Sequence, residues 1–148
     1  GGGQLIVYPR PVLKMFLNQL VQDGIQLAVW SAGQPEYVQF VVDNIISPVL
    51  SELKSTLLFV FDSTNCKHSN MLYAAHKDLR YIFYRYPELM LPGNVWLLDD
   101  DERNRYQPNP DQVCIIKGFN ITHALDWDES LELLKQTEDF PFWKKNIL

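Results

Sequence analysis

Short apolar runs alternate along this chain with segments whose apolar residues recur every three or four positions. The continuous runs predict short buried strands at residues 5–8, 25–30, 57–61, 95–98 and 112–116. The helical spacing predicts amphipathic helices at residues 12–20, 35–45, 71–86 and 126–139. Strands that alternate with helices are typical of an α/β fold, so we expect a mostly parallel, Rossmann-like sheet flanked by helices.

Proline and glycine predict where several of these elements begin and end. Pro11 and Pro35 stand where helices would start, and Gly24 is a helix stop. Ser47-Pro48 should break the helix that begins at Pro35, and residues 62–70 form a polar stretch that predicts a loop. The 148 residues show no internal repeat and no long linker, so we expect one domain over residues 1–148.

The residues that follow each strand are the first place to look for chemistry. In an open parallel sheet, ligands bind beyond the carboxyl ends of the strands. Ser31, Asp62 and the run that begins at Asp99 each come directly after a predicted strand. We therefore expect the functional site among these three positions.

The acidic run Asp99-Asp100-Asp101-Glu102 brings like charges together at the end of an apolar strand. Such crowding costs free energy unless a cation neutralises it, and carboxylate oxygens suit Mg²⁺. A solvated acidic loop with a helix cap explains the same residues, and the local sequence alone leaves both interpretations open.

The other candidate residues are ambiguous in the same way. The Ser31 hydroxyl and the backbone N–H groups beside it could bind a phosphate, or Ser31 could cap the helix that follows. Lys77 lies within the helical pattern of residues 71–86, where a lysine is usually a solvated surface charge. Cys66 and His68 lack a second matching pair, which argues against structural zinc. Tyr81, Phe83, Tyr84 and Tyr86 are aromatic residues that we expect in the core.

Composition narrows the classes of protein to consider. The chain is 47% hydrophobic and 21% charged, which argues against disorder, and its net charge of −5 argues against nucleic-acid binding. The longest unbroken apolar run has about five residues against the roughly 18 of a membrane span, so we expect none. Two cysteines are too few for a disulfide scaffold and favour a reducing intracellular compartment, although one disulfide would remain compatible. Gly1–Gly3 are typical of a linker.

The order of these residues resembles a known superfamily. A strand ending at Ser31, then Lys77-Asp78-Leu79, then a strand ending at Asp99-Asp100, is similar to motifs two, three and four of the haloacid dehalogenase phosphotransferases. The closer resemblance is to the small carboxy-terminal-domain phosphatases and NLI-interacting-factor-like phosphatases. It covers about residues 8–119 and leaves 120–148 as a C-terminal helix and tail. The stretches that carry it are Tyr8-Pro9-Arg10-Pro11, Val29-Trp30-Ser31-Ala32, His76-Lys77-Asp78-Leu79, Leu97-Leu98-Asp99-Asp100 and Gln107-Pro108-Asn109-Pro110.

The resemblance implies a mechanism and a site. It implies hydrolysis of phosphoserine or phosphothreonine in a protein or peptide, through an aspartyl-phosphate and with Mg²⁺. Ser31 and Ala32 would bind the phosphoryl oxygens, and Lys77 would balance the charge there. Asp100 would bind Mg²⁺. Asp99 would act beside it, either as a second metal ligand or as the residue that orients Lys77.

One part of the family pattern is missing. The nucleophile motif D-x-D-x-[TV] should precede Arg10 on the central strand, but the only Asp before Ser31 is Asp23, in a helix-end turn. The chain therefore matches the fold apparently without its first strand. Either the nucleophile lies on residues outside these 148, or the domain is a catalytically inactive module that binds a phosphopeptide or protein partner.

Overall fold

The computed structural model describes residues 7, 9–10, 12–69 and 77–118. Its helices are α1 (Leu13–Gln22), α2 (Pro35–Val41), α3 (Ser47–Glu52), α4 (Ser63–Ser69) and α5 (Leu79–Arg85). Its strands are β1 (Leu27–Trp30), β2 (Leu57–Phe61), β3 (Leu97–Asp99) and β4 (Val113–Ile115). The predicted strand at residues 5–8, the linker at Gly1–Gly3 and the helix at 126–139 fall on residues outside the described ranges.

The described strands form two separate parallel pairs. β1 pairs with β2, with Val29 opposite Val60, and β3 pairs with β4, with Leu98 opposite Cys114. The alternating pattern thus predicted four strands and their parallel direction correctly. The expectation of one sheet is not met within the described residues, where no ladder joins β1 to β3.

Side-chain packing, rather than a shared ladder, connects the two pairs. Helix α5 contributes Leu79, Ile82 and Phe83 to a buried cluster that also contains Phe61 of β2 and Leu97 of β3. On the other side of the molecule α1 packs against α3, with buried Leu17, Leu20 and Leu50. The core therefore holds the two strand pairs together through α5.

The helix that begins at Pro35 does not stop at Ser47-Pro48, and that prediction is wrong. α2 continues through a π-helical turn at Val42–Ile46 directly into α3, where Pro48 lies in the first turn. A proline is tolerated at this position because the first N–H groups of a helical segment have no intrahelical partner. The π turn thus places Pro48 in the first turn of the next α-helical segment, and the polypeptide remains helical to Glu52.

Two predictions between β2 and α5 also need correction. The polar stretch after Phe61 is not a loop, because α4 begins at Ser63 and the Asp62 carboxylate accepts from the backbone N–H of Thr64 at 2.8 Å, which caps it. The helix predicted for 71–86 begins, within the described residues, only at Leu79. Asp78 is extended and its carboxylate accepts from the N–H of Arg80 at 2.9 Å, so it is the N-cap. Polar residues at both places cap helices that the spacing alone misplaced.

The aromatic residues of α5 are mostly core, as predicted, with one exception. Phe83 is buried, and Tyr81 and Tyr86 pack against the cluster around Phe61. Tyr84 is 82% exposed, so its assignment to the core is wrong. It follows Phe83 on a short helix and points to the opposite side.

Helices α1 and α3 end in the same motif with different residues. After α1 the N–H of Gly24 donates to Val21 and that of Ile25 to Leu20. After α3 the corresponding bonds run from Lys54 to Ser51 and from Ser55 to Leu50. This is a Schellman motif, which requires a left-handed residue. Gly24 adopts it with φ of 80°, as its predicted role as a helix stop requires, whereas Lys54 adopts it with φ of 55° despite its side chain.

Replacing Lys54 by glycine is therefore expected to stabilise the domain. A non-glycine residue in the left-handed region costs about 1 kcal/mol, and glycine removes that cost. Urea denaturation should show the free energy of unfolding of Lys54→Gly rising by about 0.5–1 kcal/mol. Lys54→Ala keeps the left-handed cost and serves as the control. A Lys54→Gly protein no more stable than Lys54→Ala would contradict this account.

An apolar cavity of about 520 Å³ is lined by residues of both strand pairs. Its walls include β1 from Leu27 to Trp30, Leu97 and Leu98 of β3, and Leu17 and Leu20 of α1. β1 and β3, which belong to different strand pairs, thus line one cavity. None of the helices in the described part of the chain is both long and apolar enough to cross a bilayer.

Candidate functional site

A buried ion pair stands at the carboxyl end of β3. The Nζ of Lys77 donates to Oδ2 of Asp99, and their side chains are only 8% and 10% exposed. The other carboxylate oxygen, Oδ1, accepts from the N–H of Asp101 at 2.9 Å. Asp99 therefore has both oxygens engaged within the protein, and one of them fixes the position of the lysine ammonium.

Lys77 is not the solvated helix residue that its sequence neighbourhood predicts. It precedes α5 in extended backbone and is 6% exposed. Its neighbour Asp78 is fully buried and pairs with Arg80, whose guanidinium NH2 lies 2.7 Å from Oδ2. A lysine is almost never buried unless it is paired, so the burial of Lys77 sets it apart from an ordinary surface charge.

The backbone around Lys77 is held by side chains from the segment that follows β3. Oδ1 of Asn104 accepts from the N–H of Lys77 at 3.0 Å. Nε2 of Gln107 donates to the carbonyl of Lys77 at 3.0 Å, and its Oε1 accepts from the N–H of Leu79 at 3.0 Å. Sequence reasoning missed both amides as site residues, because a carboxamide has no recognisable spacing of its own.

Ser31 lies at the carboxyl end of β1, at the start of a tight turn. Its N–H donates to the carbonyl of Phe61 at 3.0 Å, which extends the β1–β2 ladder by one residue. Its hydroxyl accepts from the N–H of Gly33 at 3.0 Å and so keeps its own proton available for donation. Ala32 is exposed beside it. The capping role considered for Ser31 is not what the structure shows, since the α2 cap position is Gln34 and has no side-chain hydrogen bond.

Cys66 connects the Ser31 turn with the lysine–aspartate pair. Its Sγ lies 3.8 Å from the carbonyl oxygen of Ser31, and it is 1% exposed. Burial raises the pKa of the Cys66 thiol, while the charge of Lys77 lowers it and that of Asp99 raises it. Cys66 is thus a buried thiol against the backbone of the Ser31 turn, and the charges of Lys77 and Asp99 influence its pKa.

Asp100 has a different environment from the Lys77–Asp99 pair. It is exposed, and a side chain at Gly118 would stand 3.2 Å from its Oδ2. Arg10 donates to the carbonyl of Lys117 at 3.0 Å, and the charge of Asp100 opposes the lowering of the Arg10 pKa that burial causes. Asp100 is therefore a carboxylate at the surface of the site, close to a half-buried guanidinium.

The remaining acidic candidates have structural roles. Asp62 caps α4, and Asp101 accepts from the N–H of Arg103 at 3.0 Å and so caps the 3-10 turn Glu102–Arg105. Within the described ranges, no three Asp, Glu, His or Cys side chains gather into a metal-binding group. His68 and His76 belong to a stretch whose side chains are not described. The three aspartates of the acidic run therefore have different environments. Asp99 pairs with a lysine, Asp101 caps a turn and Asp100 is exposed to solvent.

Comparison with known proteins agrees with the order of these residues. The family described as NLI interacting factor-like phosphatase matches residues 2–141. The chain is 30% identical over 143 residues to the Ubiquitin-like domain-containing CTD phosphatase of Arabidopsis thaliana, an alignment that covers 87% of this chain and 37% of that protein. No solved structure matches the chain. The match over nearly the whole chain shows that it belongs to the NLI interacting factor-like phosphatase family.

Proposed function

We propose that this chain is the larger part of a Mg²⁺-dependent phosphatase domain that hydrolyses phosphoserine or phosphothreonine in proteins. The relative from Arabidopsis is named as a CTD phosphatase, and the chain spans about 37% of its length. The observation that carries the proposal is the buried Lys77–Asp99 pair at the carboxyl end of β3. A fixed ammonium, with the Ser31 hydroxyl at the carboxyl end of β1 as a second donor, is an arrangement suited to a phosphoryl group.

Each residue of the site has a separate role in this proposal. The Ser31 hydroxyl and the Ala32 N–H donate to phosphoryl oxygens. The Lys77 ammonium neutralises negative charge that develops on the transferring group, and an ammonium held in place needs no reorganisation during the reaction. Asp99 orients Lys77, because both of its oxygens are already engaged by donors from the protein. Asp99 is therefore proposed as the orienting residue and no longer as a metal ligand.

The proposed metal ligand from this chain is Asp100. Mg²⁺ is usually held by one or two carboxylates, with waters and substrate phosphate oxygens completing its shell. The exposed Asp100 carboxylate fits such a partial site, and the remaining protein ligands would come from the nucleophile segment. When bound, Mg²⁺ would withdraw charge from the phosphoryl oxygens.

The nucleophile is proposed to lie on a strand outside these 148 residues. No D-x-D-x-[TV] motif occurs in the sequence, and Asp23 is the C-cap of α1. The cavity lined by both β1 and β3 supports this proposal, because a parallel strand seated there would end next to Ser31 and Asp99. The first Asp of its D-x-D motif would then attack phosphorus to form the aspartyl-phosphate, while the bond from phosphorus to the serine or threonine oxygen breaks and the second Asp gives that oxygen a proton. Water, deprotonated by the same second Asp, would then hydrolyse the aspartyl-phosphate and release phosphate.

The test is Mg²⁺-dependent hydrolysis of a phosphoserine peptide by the complete protein that carries this chain. Asp100→Asn is expected to lower kcat about 100-fold and to raise the Mg²⁺ concentration needed for half-maximal rate. Glu102→Gln removes a charge from the same acidic run at an exposed position and is the matched control, with unchanged kcat. Equal activity of Asp100→Asn and the parent would contradict the metal assignment.

The missing motif also supports a second function, a phosphopeptide-binding module without turnover. Experiments on the same complete protein distinguish the phosphatase from the binding module. Calorimetric binding of the phosphoserine peptide, together with no release of phosphate at any Mg²⁺ concentration and no D-x-D-x-[TV] motif in the complete sequence, would favour the binding module. Turnover that is lost in Asp100→Asn would exclude it.

A further inference from the structure

We propose that Asn104 and Gln107 form an amide clamp that positions Lys77 for its role in the site. The two amides form hydrogen bonds with the backbone N–H and carbonyl of Lys77 and with the N–H of Leu79. These bonds involve the backbone and leave the ammonium to Asp99. The catalytic role of Lys77 rests on the proposed phosphatase function. The clamp itself does not depend on that function, so the clamp and the phosphatase activity can be tested separately.

Between them the two amides bond three backbone groups of the segment that leads into α5. Asn104 accepts from the Lys77 N–H, and Gln107 joins the Lys77 carbonyl and the Leu79 N–H, each at 3.0 Å. Gln107 thereby imitates a residue of a neighbouring strand, with one donor and one acceptor. The segment before α5 is extended and has no ladder partner in the described part of the chain, so these two side chains replace one.

The burial of Asn104 indicates that its amide serves a purpose other than packing. Asn104 is 1% exposed, and its Nδ2 has no hydrogen-bond partner among the residues that the structure describes. A buried polar group without a partner costs free energy, so an apolar residue would be favoured here if position 104 served packing alone. Position 104 is nevertheless an asparagine. Its Oδ1 accepts from the backbone N–H of Lys77, the one buried lysine among the described residues.

The clamp also connects both partners of the ion pair. Asn104 and Gln107 follow Asp99 within eight residues, and the intervening turn is fixed by Asp101. The segment that leaves β3 therefore places the carboxylate directly and the lysine backbone through the two amides. A lysine side chain has four rotatable carbons, and it reaches Asp99 in one geometry only if its Cα is fixed.

Chemical labelling of Lys77 tests the clamp without any assay of activity. In the complete protein that carries this chain, reductive methylation followed by peptide mass spectrometry gives the rate at Lys77 relative to Lys14, whose side chain is 70% exposed. Asn104→Ala and Gln107→Met are each expected to raise that ratio about tenfold, the effect of losing one or two hydrogen bonds that hold the segment closed. Glu102→Gln changes an exposed residue of the same turn and should leave the ratio unchanged.

A second label separates the clamp from general stability. Cys114 in β4 is 1% exposed, so its thiol reacts only when the domain opens as a whole. Faster methylation of Lys77 with Cys114 still protected supports the clamp. An unchanged Lys77 ratio in both variants, or equal acceleration of Lys77 and Cys114 in both, overturns it. If the complete protein proves inactive, the proposed phosphatase function fails, while a positive labelling result still establishes the clamp.

Discussion

Replacing Lys77 by methionine is expected to lower the free energy of unfolding by about 3 kcal/mol, because it leaves a buried carboxylate without its partner. Methionine keeps the length and most of the apolar stem, so lost packing contributes little. The Asp99 side chain is 10% exposed, and water cannot replace the ammonium without local opening. Urea denaturation followed by tryptophan fluorescence measures the change.

The exposed pair Lys14–Glu52 supplies the matched control. Its Nζ and Oε2 atoms lie 3.3 Å apart, but the two side chains are 70% and 66% exposed. Lys14→Met removes the same charge from the same kind of pair and should cost less than about 0.5 kcal/mol, since exposed pairs contribute little. A double change, Lys77→Met with Asp99→Asn, should recover much of the loss because no unpaired charge remains buried. A Lys77→Met protein as stable as Lys14→Met would refute the buried pair.

The second large effect is expected at Phe61, where truncation to alanine should cost about 4 kcal/mol. Phe61 is 4% exposed and ends β2. Its ring stacks on Phe59 with centroids 4.1 Å apart and meets Trp30 and Tyr81 edge-on at 5.5 and 5.3 Å. The guanidinium carbon of Arg85 lies 5.8 Å from the same ring. Alanine would remove all of these contacts and leave a cavity in the cluster that joins the two strand pairs.

Tyr84 is the control for that experiment, because it is an aromatic residue on α5 that is 82% exposed. Tyr84→Ala should change the free energy of unfolding by no more than about 0.5 kcal/mol. Phe61→Leu keeps most of the apolar volume and should fall between the two. The prediction fails if Phe61→Ala and Tyr84→Ala denature at the same urea concentration.

Much of the fold was accessible from the pattern of apolar residues. Continuous runs located all four described strands, with ends that differ by at most two residues, because the strands are almost wholly apolar, including the exposed Leu58 and Val60 of β2. The errors occurred where polar side chains replace backbone partners. Asp62 and Asp78 cap helices, and the π turn before Pro48 continues a helix that proline was expected to end. Local hydrogen bonds of this kind leave little trace in hydrophobic spacing.

The site was accessible in part. Ser31 follows β1, and Asp99 and Asp100 stand at the end of β3, so the rule that ligands bind beyond the carboxyl ends of parallel strands singled them out, although the structure places them on two separate strand pairs. Lys77 was singled out only through the resemblance to a family, since nothing in its neighbourhood predicts that it is buried and paired. Asn104 and Gln107 were not found at all, because their function depends on backbone groups 27 and 30 residues earlier in the chain. Such a contact between distant residues forms only in the folded structure, and no pattern of residue spacing in the sequence predicts it.

The separation of the strands into two pairs has a consequence for how a phosphate would be gripped. The hydroxyl of Ser31 belongs to the β1–β2 pair, whereas the ammonium of Lys77 is tied to the β3–β4 pair. Ladder hydrogen bonds fix distances within each pair, and in the described part of the chain side-chain packing around α5 connects one pair with the other. A change in that packing, such as truncation of Phe61, would therefore also shift the Ser31 turn relative to the Lys77–Asp99 pair.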